Sequence, residues 1–304
     1  MTSVLLAAAF GDQPETAVHV PPGASPRDRW LAGVVLGGQG RYAAAAAVLR
    51  PLLVGRDPVI AAHAGATLAS HLRQLGGHAL ARRYDAAAAR RLADPVHRPG
   101  PPDDPEGTGR AGATVDVLLG LSADAIGLAR TTEADRLLAA ARRAAAAGEP
   151  GWRVTVRIEW LATELALATG RAADAVSHAE RAQAAATDSG ATRHLVKSIM
   201  MTGASWVAGG TPDGRRTAER LLAEALGLSL TRGMLPLAWP CALLLADLTP
   251  DQTTEFRKTS ADALTSVFSR SDAQARRVAM HSAWVPTALI RSGEPTRTSG
   301  ELTT

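Results

Sequence analysis

The sequence is poor in the residues that build disulfides, sheets and membrane spans. A single cysteine, Cys241, excludes a disulfide framework and any zinc site made from thiolates, and suits a reducing compartment. Aromatic side chains are 4% of the 304 residues, with two Tyr and three Phe. Sheets draw on β-branched and aromatic residues, whereas about a fifth of this chain is alanine, the strongest helix former. The composition therefore reads as all-α. No window approaches the ~18 unbroken apolar residues of a membrane helix. The apolar run ending at Phe10 is about seven residues long with no Lys or Arg ahead of it, a poor signal peptide. The expectation is a cytoplasmic protein with no membrane partner.

Catalytic signatures are missing too. There is no G-x-x-x-x-G-K-[ST], no H-E-x-x-H and no G-x-S-x-G. The run from Gly38 to Ala43 fits G-x-G-x-x-A, but a dinucleotide site needs a strand ahead of it, and the preceding residues pattern as a helix. His63, His71 and His78 are close in sequence, yet Gly76 and Gly77 divide them between two helices, so they read as helix histidines and not as metal ligands. Glu159 with Glu164, and Asp103 with Asp104, read as solvated carboxylates. Cys241, within LPLAWPCALLLA, reads as a small core residue. The sequence thus predicts a non-enzyme with no catalytic residue, no metal and no cofactor.

What the chain does contain is repetition. Arg29 to Leu53 reads as an apolar helix, a break at Gly37 to Gly40, and an alanine-rich helix with Leu49, Leu52 and Leu53 on one face. A second unit breaks at Gly76 and Gly77 and stops at Asp94-Pro95. A third stops at Gly148 to Pro150, and a fourth turns at Gly170 and stops at Asp188 to Gly190. The fifth, Ala191 to Gly233, turns at GGTPDGRR. A weaker sixth pairs Leu235 to Asp247 with Asp251 to Arg270, and one final helix from Asp272 to about Arg291 caps the stack. The outline is a partly irregular segment at 1–25, two helix hairpins at 26–93, a Pro/Gly-rich linker or surface loop at 94–110, three to four hairpins with a capping helix at 111–291, and a disordered tail at 292–304.

The units resemble divergent bacterial tetratricopeptide repeats. The resemblance rests on a small residue at the turn, an apolar or aromatic residue two positions on, a small residue five after the turn, and others at nine and twelve. The first unit supplies Gly40, Tyr42, Ala45, Leu49 and Leu52, and the second Gly76, His78, Ala81, Asp85 and Ala88. The third supplies Ala129, Thr131, Ala134, Leu138 and Ala141, and the fourth Gly170, Ala172, Ala175, Ala179 and Ala182. Small residues there let neighbouring helices approach closely. The resemblance implies a right-handed α-solenoid of five or six antiparallel helix pairs whose first helices line a concave groove.

In that frame Trp30 and Trp160 occupy the same first-helix position, ten residues before Gly40 and Gly170. Their face also carries Arg27 and Val34, then His63, Ser70 and Arg73, then Arg157 and Glu164. Trp and Arg most often carry interface energy, so the reading is a non-catalytic scaffold binding a protein or peptide of mildly acidic character. The carboxylate clamp of some such repeats is absent, because Trp30 and Val34 stand where it needs Lys and Asn. Two alternatives stand beside it. One is a regulatory or sensor module for a small ligand or a transcription component, marked by a closed pocket in place of an open groove. The other is nucleic-acid binding through Arg82-Arg83, Arg90-Arg91, Arg142-Arg143, Arg215-Arg216 and Arg276-Arg277.

Overall fold

The computed structural model describes residues 1–93, 104–147 and 151–291. Expectations for 94–103, for the stop at 148–150 and for the 292–304 tail lie outside the described residues. Among the described residues there are fifteen α-helices and no strand. In chain order these are α1 (Thr2–Phe10), α2 (Pro26–Gly38), α3 (Tyr42–Leu49), α4 (Pro58–Gln74), α5 (His78–Leu92), α6 (Arg110–Gly127), α7 (Thr131–Ala146) and α8 (Trp152–Ala168). They continue with α9 (Ala172–Asp188), α10 (Thr192–Gly209), α11 (Pro212–Thr231), α12 (Leu235–Leu248), α13 (Thr253–Ser269), α14 (Ala273–Met280) and α15 (Thr287–Arg291).

Local chemistry sets several starts. Ser25, Asp57 and Thr211 each accept a backbone N–H at a helix N-terminus, and each is followed by a proline in the first helical position. Proline fits there because that N–H has no helical partner. The turns are equally local. Gly40, Gly76, Gly170 and Gly210 adopt left-handed backbone between α2 and α3, α4 and α5, α8 and α9, and α10 and α11. Ala129 takes the same conformation between α6 and α7, at φ 59°.

Beyond each turn the small residues meet a neighbouring helix. Ala45, Ala81, Ala134 and Ala175 are fully buried, as are Leu49, Asp85 and Ala179 four positions on. A larger side chain at these alanines would force helices apart at a cost of roughly 1–3 kcal/mol. Successive helices pack in sequence along the chain, α4 on α5, α6 on α7, α8 on α9, α10 on α11 and α12 on α13.

Early and late helices also meet. Tyr42 and Leu75 share an apolar cluster with Leu264, Val267, Ala275, Ala279 and Val285. The Ala43 amide donates to the Arg270 carbonyl at 2.8 Å, and Arg50 pairs with Asp272 at 2.6 Å. On another side, the Thr192 amide donates to the Gly11 carbonyl at 3.0 Å, docking α1 against α10.

One expectation needs correction. The single closing helix from Asp272 to Arg291 is instead α14 and α15, split at residues 281–286. Pro286 lacks the N–H that a continuous helix would use, and the Ser282 hydroxyl takes the Trp284 amide instead. The described end of the 94–110 segment is anchored: the Asp104 carboxylate accepts the Thr108 and Gly109 amides, and Arg153 donates to the Glu106 and Gly107 carbonyls.

Left-handed backbone costs a non-glycine residue about 1–2 kcal/mol, part of which glycine returns as unfolded-state entropy. Ala129→Gly is therefore expected to stabilise the protein by about 0.5–1 kcal/mol, raising its melting temperature by roughly 2 °C in a thermal melt. An unchanged or lower melting temperature contradicts the strain.

Candidate functional site

The helices that open each pair, α2, α4, α6, α8, α10 and α12, turn one side toward a common cavity of about 570 Å³. Phe10, His78 and Trp284 complete its wall. The volume suits a drug-sized molecule.

Of the nine groove residues expected from the sequence, Trp30, Val34, Ser70, Arg73, Arg157, Trp160 and Glu164 line this cavity. Arg27 and His63 do not. His63 is fully buried behind Trp30, stacked on it with ring centroids 4.3 Å apart, and its Nε2 lies 3.0 Å from the Thr108 carbonyl oxygen. Neither tryptophan is an exposed anchor. Trp30 donates its indole N–H to Thr67 Oγ1 at 3.1 Å, and Trp160 donates to Ser198 Oγ at 2.8 Å. Both are buried, and their rings pack on His63 and on His194 with Lys197, so they form part of the wall with their orientation fixed by those bonds.

Charged groups crowd the wall. Arg73 spans the fully buried carboxylates of Asp85 and Asp124, with 3.2 Å to the latter. Burial, and then the neighbouring Asp124 charge, push Asp85 up to about 7 against the pull of Arg73. Asp116 accepts from Arg153 at 2.8 Å and pairs with Arg157 at 3.1 Å. Those arginines outweigh its burial and hold its carboxyl well below the usual range. Lys197 pairs with Glu164 at 3.5 Å and sits 4.3 Å from the Trp160 ring centre.

Two histidines face the same space uncharged. Burial, and then nearby Arg193 and Arg73, push His71 down to about 3. Burial also holds His194 well below the ordinary range, reinforced by Arg193, Arg153, Arg157 and Lys197. His194 stacks on Trp160 at 5.2 Å, and His71 on Tyr42 at 5.0 Å.

Helical glycines make room for this polar lining. A Cβ on Gly37 would stand 1.9 Å from His71 Nε2, and one on Gly38 would stand 3.0 Å from Arg193 Nε. Likewise Gly120 accommodates the Asp85 carboxylate and Gly127 the His78 ring. A glycine costs a helix about 1 kcal/mol relative to alanine, so the space at these four positions is held against helix propensity.

Arg153, Arg193, His194 and Lys197 escaped the sequence reading, although a signal was present. Lys197 stands thirteen residues before its turn at Gly210, as Arg157 does before Gly170. Arg193 and Arg153 share the position four residues earlier. Extending the register of the fourth unit to the fifth finds both pairs. The arginine doublets are partly spent within the fold: Arg82 pairs with Glu133, Arg91 donates to the Gly55 carbonyl, and Arg215 donates to the Leu248 carbonyl at 2.7 Å.

No protein-family model matches the chain, and no curated protein matches it.

The neutral histidines carry a pH signature. A histidine whose folded pKa lies below its unfolded value costs nothing above that unfolded value, near 6.5. As pH falls from there toward the folded value, the unfolded state gains protons that the native state refuses, and stability drops. For His71 the loss reaches about 2 kcal/mol at pH 5. Asp85 acts oppositely, because a raised carboxyl pKa favours the native state as pH falls from about 7 toward 4. His71→Gln is expected to flatten the loss of stability between pH 7 and pH 5 by about 2 kcal/mol in urea titrations. Parallel wild-type and variant curves would contradict this.

Proposed function

We propose that the chain is a non-catalytic regulatory or sensor module whose central chamber binds a small ligand. The carrying observation is ring closure. The first helix pair packs against the last helices through Tyr42, Leu264 and Val267, so the wall residues ring a space that stays partly open to solvent. A ringed volume of about 570 Å³ favours a compact molecule over an extended segment of a partner protein. The lining supports an amphipathic ligand, with part-exposed Trp239, Met200 and Leu167 for its body and arginines for polar groups.

The architecture we propose is a tetratricopeptide-like right-handed α-solenoid closed on itself. Left-handed turns at Gly40, Gly76, Ala129 and Gly170, each followed five residues later by a fully buried alanine, support that reading. An acidic peptide in the same space is the competing reading, and thermal shift measurements separate the two. Small amphipathic acids are expected to raise the melting temperature by several degrees when supplied at about a hundred times their Kd, equivalent to about 2.7 kcal/mol. Acidic peptides of a dozen residues are expected to leave it unchanged. Ser70→Trp, which places an indole in the chamber, is expected to abolish the response while the protein stays folded. Stabilisation by peptides alone would overturn the small-ligand reading.

A further inference from the structure

The charges around the chamber are unevenly paired. Arg73, Arg153, Arg157 and Lys197 each face a carboxylate within 3.5 Å. Arg193 faces none: among the described residues it makes no ion pair, and its Nε is enclosed without a hydrogen-bond partner. Burial pushes Arg193 down, and the neighbouring Tyr42 phenol, itself pushed up by burial, stays neutral and supplies no counter-charge. A guanidinium keeps its proton at neutral pH even when burial works against it. Arg193 is part-buried, and among the described residues no carboxylate balances its charge.

Three further features converge there. Arg193 passes close to Gly38, where a Cβ would stand 3.0 Å from Nε. His71 and His194, at 7% and 4% exposure, each present an enclosed Nδ1 with no partner. Both rings are uncharged near neutral pH, so they flank Arg193 without adding charge. Nearby wall is apolar, with Trp160, Met200 and Leu237.

We propose that Arg193, flanked by His71 and His194, is an anion subsite, and that the ligand is an organic acid with one carboxylate or phosphate head and an apolar body. The ligand's head completes the ion pair that the protein leaves open, and its body lies against the apolar wall. This rests on the chamber reading above.

The test uses two dyes with one aromatic skeleton, 8-anilinonaphthalene-1-sulfonate and its uncharged analogue N-phenyl-1-naphthylamine, titrated into the full chain at physiological salt. The wild type is expected to bind the sulfonate at least tenfold more tightly. Arg193→Gln is expected to erase that preference and leave the uncharged dye's affinity unchanged, whereas Arg193→Lys retains most of it. The wild-type comparison decides the matter even if R193Q does not fold. Equal affinity of the two dyes overturns the subsite and leaves the chamber standing, and failure of both dyes to bind overturns both. Displacement of the sulfonate by octanoate or by octyl phosphate supports the class and tells which head is preferred. Displacement by inorganic phosphate at the same concentration contradicts the need for an apolar body.

Discussion

The contact between early and late helices is the constraint on which the rest depends. Packed helices alone produce walls, and a wall becomes a chamber when its ends are joined. Here the join is an apolar cluster around Tyr42 and Leu264, with the Ala43 to Arg270 hydrogen bond and the Arg50 to Asp272 pair at its edge. Tyr42 links this seam to the site, because its ring stacks on His71, which lines the chamber. The seam and the site are thus one packing problem.

Inside that boundary, burial sets the electrostatics. Desolvation strips protons from His71 and His194 and returns one toward Asp85, while paired arginines keep Asp116 ionised. Low dielectric strengthens each pairing and penalises each omission. The omission at Arg193 is therefore the informative feature of the wall. Glycines at 37, 38, 120 and 127 give up helix propensity to admit polar side chains, and this pattern is expected of a lined cavity and not of a close-packed core.

Much of the fold was legible in the sequence because its signals are local. Turn glycines, proline at the first helical position and alanines at fixed spacing act within a few residues, and they placed the breaks at Gly40, Gly76 and Gly170. The split of the last helix was missed because the effect of Pro286 was outweighed by an apparently continuous pattern. For the site, the first-helix register found Trp30, Arg73 and Arg157. That register does not show that the tryptophans are buried, because their hydrogen bonds to Thr67 and Ser198 join residues 37 and 38 positions apart. The meeting of early and late helices was illegible for the same reason: Arg50 and Asp272 are separated by 222 residues, and no periodicity encodes their partnership.

Small-angle X-ray scattering of the monomeric chain tests the enclosure most directly. A closed arrangement of 304 residues is expected to have a radius of gyration of about 20 Å, with a distance distribution close to that of a compact particle. A markedly larger radius with an elongated distribution would mean that the early and late helices do not meet, and the chamber, with the charges arranged around it, would be an open groove.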